Sequence, residues 1–384
     1  MSYRAEMEPR QVQDRSKDTF EELCACARPW WGGQGERTSI ERHPVAGGSP
    51  DRWAALYQLA SRHSIVPLVH MSRLYWGQVA EPLVQHDVVP QNLVQKDVRV
   101  TESRSRFMIG ELGRILDELS KHHVEVIPFK GPTLTQRIYP ALCYRFTGDL
   151  DLLVPSDASA TLQATLERLG YTPARRRNAL HQKAHTYISG QKTFVRGEAT
   201  FWVDVHTRVV SRLYKYAPPF DILFRRSQQV DLMGREVRAL SPLDCILMLC
   251  YQGAKNHWNR LKYVCDLSAA LVATKPNGRE LLHHARSWSG ERVLLLGLHL
   301  AHTLLEAPVP RGLGSNMLKR SDIKGLARRA EKSLRAPTPE NAMGLRHRAT
   351  LQLMLQDSIG SRLRYLSVAG LRRLLDCVEQ PTLD

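Results

Sequence analysis

A chain of 384 residues, 43% hydrophobic and 24% charged, carries enough apolar material for two or three packed units, which excludes a disordered protein. No apolar run reaches the length of about eighteen residues that a membrane span needs, and Met1 to Gly33 lacks the apolar centre of a signal peptide, so a cytoplasmic protein is expected. Seven cysteines, an odd number without Cys-x-x-Cys spacing, argue against a disulfide framework or a zinc site, and a net charge of +16 points to nucleic acid or a phosphate-bearing substrate.

Residues 1–50 read as a lead-in punctuated by Trp30-Trp31-Gly32-Gly33 and by the Gly/Pro-rich stretch from His43 to Pro50. From Asp51, the spacing of Trp53, Leu56, Tyr57, Leu59 and Ala60 predicts a helix, which Ile65, Leu68 and Leu74 continue past a break near Pro67. A longer helix follows from about Gln91 to His122, making residues 51–123 a helical N-terminal region.

Alternation dominates residues 124–240. Val124 to Phe129 reads as a short strand ended by Lys130-Gly131, with Pro132 in the first turn of a helix over Thr133 to Tyr139. A strand begins at Asp149, and a helix over Ser156 to Leu169 is capped by Ser156 and stopped by Gly170. His185 to Ile188, Lys192 to Val195 and Ala199 to His206 read as strands, and Gln229 to Leu232 pairs with Glu236 to Leu240 across Met233-Gly234. Beyond Ser241-Pro242-Leu243-Asp244, residues 241–384 read as a helical C-terminal domain broken at Pro276-Asn277-Gly278 and Ala307 to Pro310. The class is therefore α+β, a mixed sheet core between helical regions.

The chemistry concentrates in Gly148-Asp149-Leu150-Asp151. In a strand, Asp149 and Asp151 share one face while Leu150, Leu152 and Val154 serve the other. Two carboxylates so close repel, and a divalent cation with hard oxygen ligands, most often Mg²⁺ shared with a substrate phosphate, relieves that repulsion. A second strand places Asp204 and His206 on one face and brings a third carboxylate. Aspartates also bond their own backbone in turns and serve as structural groups on strands, so the pattern alone leaves both readings open.

Lys130-Gly131 after a strand, a short helix, Arg145-x-x-Gly148-Asp149-x-Asp151 and Val203-Asp204-x-His206 resemble the bacterial uncharacterised nucleotidyltransferase family of the DNA polymerase beta-like superfamily. The segment from Gly253 to Leu261, with Asp266-Leu267, resembles that family's helical motif, so the likeness runs over roughly residues 50 to 300. One departure stands out: the superfamily's usual Gly-Ser or Gly-Gly turn is Lys130-Gly131 here.

The resemblance implies an enzyme that moves an NMP group from an NTP to an acceptor hydroxyl or other nucleophile and releases pyrophosphate, in bacterial biosynthesis or tailoring. Asp149, Asp151 and Asp204 would hold two Mg²⁺ ions, with Asp204 an alternative acceptor for the substrate proton. Lys130, Gly131 and Gly148 would approach the phosphates; Arg145 would reach the triphosphate or pair with an acid; His206 would assist proton transfer or orient Asp204. In a regular helix His257 and Arg260 share a side with Leu261 and Val264 while Lys255 lies opposite, so only some of these three face the nucleotide.

The acceptor, whether small molecule, peptide, protein or RNA, and the base of the NTP stay open. Basic residues recur at Arg175-Arg176-Arg177, Lys319-Arg320, Arg328-Arg329, Arg346, Arg348, Arg362, Arg364 and Arg372-Arg373 with few aromatics between them, as a solvated helical face or an RNA surface would have. A catalytically silent module binding RNA or a partner protein, and a phosphotransferase using the same metal site, are the competing readings.

Overall fold

The computed structural model describes residues 19–29, 50–79, 91–174, 186–197, 201–212, 214, 218–314, 316–336 and 345–378. The Trp30 to Ser49 stretch of the lead-in and the Arg175-Arg176-Arg177 cluster lie outside the described residues.

Five strands form one mixed sheet in the order β1 (Ile127–Pro128), β2 (Asp149–Leu153), β5 (Phe201–His206), β4 (Gln191–Arg196), β3 (Thr172–Pro173). β2 and β5 run parallel at its centre, and the other neighbours pair antiparallel. The period-2 pattern decides which way each strand faces. Leu150, Leu152, Val203, Val205 and Phe194 are buried beneath α4 (Gln91–Ser120) and α6 (Ser159–Arg168), against Met108, Leu112, Ile115, Leu119, Leu162 and Leu166. Each such side chain contributes roughly 1.5–3 kcal/mol on burial, so a one-residue slip, which would carry aspartates into this core, is strongly disfavoured.

The opposite face of the sheet looks toward a helical body. α1 (19–27), α2 (Pro50–His63) and α3 (Val66–Val79) precede the sheet in the chain. α9 (Pro242–Lys255), α10 (Lys262–Thr274), α11 (Gly278–Ser287), α12 (Glu291–Leu305), α13 (Ser321–Leu334), α14 (Leu345–Met354) and α15 (Ile359–Val378) follow it. The two sets share one apolar core, with Leu23, Leu56 and Leu68 from the first and Ile246, Leu267 and Leu296 from the second. α5 (Gly131–Ile138) and α8 (Phe220–Arg226) add Leu134, Ile138, Phe220 and Leu223 to that core, while the hairpin β6 (Gln228–Leu232) with β7 (Arg235–Ala239) buries Leu232 and Val237 in the core under α4. Arg137 and Gln136 of α5 donate to the carbonyls of Leu240 and Asp231, which fixes that helix on the hairpin.

Several elements differ from their sequence reading. The strand expected over Val124 to Phe129 shrinks to Ile127–Pro128, with Phe129 N–H still bonded to the Asp151 carbonyl at 3.2 Å. Residues 186–189 form a single helical turn, α7, closed by Gly190 N–H on the Thr186 carbonyl, where a strand is read from the sequence. α6 starts at Ser159, not Ser156.

The largest difference lies at the family-like helical motif. α9 stops at Lys255, His257 and Trp258 adopt left-handed φ of 56° and 52°, and Trp258 N–H bonds back to the Gly253 carbonyl at 2.8 Å. Two non-glycine residues at positive φ cost about 1–2 kcal/mol each. Burial of the Trp258 ring carbons against Gly253 and Gly297 works against that cost, although the indole Nε1 has no hydrogen-bond partner among the described residues, and tertiary packing sets the chain path here in place of helical propensity.

A test of that account reverses an ordinary helix rule. Gly→Ala in a helix stabilises by about 0.5–1 kcal/mol, and Gly110→Ala in α4, where an added Cβ meets nothing within 4 Å, should do so. Gly253→Ala places a Cβ 2.5 Å from the Trp258 ring and should instead cost about 1–3 kcal/mol in urea denaturation. A gain at both positions would contradict the packing.

Candidate active site

The parallel register sets Asp151 beside Asp204, and Asp149 beside Trp202, on the face away from α4. Asp151 is only 4% exposed. Its Oδ1 accepts from Lys130 Nζ at 2.8 Å and from His206 Nε2 at 2.9 Å. A carboxylate oxygen can only accept, so His206 Nε2 carries the hydrogen. Burial works to raise the Asp151 carboxyl, but Lys130 and His206 outweigh it and hold Asp151 below the usual carboxylate range. Burial lowers His206 and keeps it neutral, and Phe129 packs edge-on against its ring at 5.0 Å.

Asp204 is fixed from the neighbouring strand. Thr193 Oγ1 donates to its Oδ1 at 2.5 Å and Gln191 Nε2 to its Oδ2 at 2.6 Å, both from β4. Asp149 stands at the solvent edge, yet the protein crowded around it, and next the Asp151 charge, push it up to about 6. Ligand atoms of Asp151, Asp204 and His206 all lie within 4.8 Å of one another, and Asp149 stands outside that compact group.

Gly131 explains how a helix can begin so close to these acids. It has φ +59°, and a Cβ there would sit 2.9 Å from the Asp149 carbonyl oxygen, so only glycine lets α5 start against β2. Gly148 is different, because an added Cβ would meet only Phe146 at an ordinary 3.6 Å.

A cleft of about 650 Å³ opens over Asp149 and Asp204. Gly148, Arg145, Arg260 and Lys262 line it, with the exposed aromatic side chains of Trp202 and Phe146 on its walls. Arg145 is committed within the protein: its Nε reaches both Asp266 oxygens at 3.0 and 3.1 Å, and Tyr139 donates to the same carboxylate at 3.0 Å. Arg260 donates to Ser64 Oγ at 2.9 Å. Burial, with Arg145 close by, lowers the Lys262 ammonium.

The three basic residues of the helical motif part company. Arg260 lines the cleft, and Lys255 lines a separate cavity that also touches Lys130 and His206. His257 lines neither; burial, then Arg348, bring it down to about 4. Sequence reading missed Lys262, Trp202, Gln191 and Thr193. Trp202 was legible by alternation with Asp204, whereas Lys262 enters the cleft only because the chain turns at residues 256–261.

Over residues 49–306 the chain matches the sequence model of a family described as uncharacterised nucleotidyltransferase. The chain belongs to that family. No curated protein and no solved structure matches it. The uncharacterised nucleotidyltransferase match and the buried Asp-Asp-His group together fit a metal-dependent nucleotidyltransferase. The donor set suits a hard divalent cation, since it offers carboxylate oxygens and His206 Nε2 is spent on Asp151. No described helix is long and apolar enough to cross a membrane.

Raised from 3.8 to about 6, Asp149 binds its proton more tightly in the folded chain than in the unfolded one. Its contribution to stability is therefore complete below the unfolded value and is lost as pH rises through about 6. In metal-free nucleotidyltransferase, Asp149→Asn should raise the melting temperature at about pH 7.5 and give little gain at about pH 4. Equal gains at both pH values would contradict the crowding of these carboxylates.

Proposed function

We propose that this nucleotidyltransferase moves an NMP group from an NTP to an acceptor hydroxyl or other nucleophile and releases pyrophosphate, with Mg²⁺ held by Asp149, Asp151 and Asp204. This reading rests on Asp151 and Asp204, set side by side by two parallel strands, and on Asp149 and Asp204 lining a cleft large enough for a nucleotide. When bound there, Mg²⁺ supplies charge neutralisation at the α-phosphate and on the departing pyrophosphate.

In the transfer, the acceptor oxygen bonds to the α-phosphorus as the bond from that phosphorus to the bridging oxygen breaks. The electron pair leaves with pyrophosphate, and the acceptor proton goes to Asp204. Thr193 and Gln191 hold Asp204 in place for that role, and His206 does the same for Asp151. Positioning of this kind removes much of the reorganisation cost at the moment of reaction. Lys130 and the Gly131 turn approach the phosphates, while Trp202 and Phe146 offer a stacking surface beside Asp149. Arg145 acts mainly through Asp266, as a brace between the 3₁₀ turn at Leu142–Tyr144 and α10. A bacterial biosynthetic or tailoring setting in the cytoplasm suits this chemistry.

Thermal-shift titration with each of the four NTPs, with and without Mg²⁺, tests the assignment. A ligand bound only by the folded state at about 100 times its Kd adds roughly 2.7 kcal/mol. One NTP should raise the melting temperature only with Mg²⁺, and the double variant Asp149→Asn, Asp151→Asn should lose that response while remaining folded. Absence of any NTP response, combined with RNA binding of steep salt dependence, would overturn the enzyme reading in favour of a binding module.

A further inference from the structure

A second, smaller cavity of about 60 Å³ lies beyond Asp151 on the side of Lys130 and His206. Arg208, Lys255, Ser189 and Ser211 also line it, and no carboxylate does among the described residues. Three cationic side chains, Lys130, Arg208 and Lys255, line this one small space, and Asp151 behind Lys130 does not itself line it, so the lining is that of an anion site by composition. Arg208 adds an independent sign: its Nε is buried and has no hydrogen-bond partner among the described residues. A buried, unsatisfied guanidinium N–H is costly, and a phosphate oxygen would satisfy it. Arg208 reaches this position by packing over Gly190, where an added Cβ would crowd it at 3.2 Å.

Lys130 belongs to both places. Its ammonium sits on Asp151 Oδ1 at 2.8 Å, with side-chain exposures of 16% and 5% for the pair, and the same side chain lines the basic cavity. Lys130 and His206 together occupy Asp151 Oδ1, so a cation approaching that oxygen has to displace a donor.

Resting on the nucleotidyltransferase reading, we propose that the basic cavity is a polyphosphate subsite and that Lys130 transfers from Asp151 to the bound phosphate, freeing Asp151 to ligate metal. Polyphosphate and metal then favour each other's binding, and linkage makes the coupling reciprocal. The protein without nucleotide is held in a metal-poor state by its own lysine.

The test titrates Mn²⁺ alone into metal-free protein, followed by the electron paramagnetic resonance of free Mn²⁺. Lys130→Met, and Lys130→Gln as a second variant that keeps a hydrogen-bond donor for Asp151, should each bind Mn²⁺ at least about tenfold more tightly than wild type, a coupling of the size usual between linked sites. Inorganic pyrophosphate, titrated calorimetrically without metal, should bind wild type and lose about tenfold in affinity in Arg208→Met and Lys255→Met, whose Mn²⁺ affinity stays at the wild-type value. Unchanged or weaker Mn²⁺ binding in both Lys130 variants, or pyrophosphate binding indifferent to Arg208 and Lys255, overturns the proposal. Either failure with Mn²⁺ binding still lost in Asp151→Asn leaves the nucleotidyltransferase reading standing; no Mn²⁺ binding in any of these proteins overturns the metal reading as well.

Discussion

Asp151 and Asp204 are held side by side against their mutual repulsion by the apolar residues on the reverse of the same two strands. Ligand atoms within 4.8 Å, at an effective dielectric of about 20, imply roughly 3–4 kcal/mol of repulsion between two full charges. Leu150, Leu152, Val203 and Val205, fully buried beneath α4 and α6, contribute roughly 1.5–3 kcal/mol each and carry the register with them. The core therefore wins, and the unfavourable charge cluster is the result. Lys130 and His206 on Asp151, with Thr193 and Gln191 on Asp204, relieve part of it from within the protein. What remains is an affinity for a cation.

The helical body turns this charged floor into a site with walls. Buried polar ties, rather than apolar contact alone, join it to the segments beside the sheet: Asp266 of α10 receives Arg145 and Tyr139, and Asp244 of α9 receives Arg226 of α8. Such pairs contribute little net stability but are costly to break, so they fix where the cleft walls stand. The turn after α9 sends Arg260 and Lys262 toward the large cleft and leaves Lys255 at the small basic cavity. In this way one buried indole, Trp258, distributes the positive charge around the acids. Elsewhere basic residues are partly consumed by local acids, as Arg320 is by Glu291 and Asp322, so net charge alone does not define a nucleic-acid surface.

Asp149, Asp151, Asp204 and His206 were legible because strand alternation is a local rule, and four or five residues suffice to say which side chains share a face. The start of α9 was legible for the same reason, at Ser241, whose side chain accepts from Asp244 N–H, whereas Pro276-Asn277-Gly278 reads from the sequence only as a break although Asn277 caps α11. The partner of Arg145 was not, since Asp266 lies 121 residues further along the chain. Nor was the fate of His257 and Arg260, because a regular helix was the sound local reading and the break comes from burying Trp258 among Gly253 and Gly297 on two different helices. Lys130 shows both sides of this: its place before a glycine turn was readable, but its ion pair with Asp151 needed the sheet to be assembled.

Anomalous diffraction at the manganese edge, from crystals soaked with Mn²⁺ and a non-hydrolysable NTP analogue, tests the central claim most directly. Manganese density is expected among the carboxylates of Asp149, Asp151 and Asp204, with the analogue's triphosphate beside it. Bound analogue with no manganese at these aspartates, or manganese bound elsewhere on the protein, would contradict it.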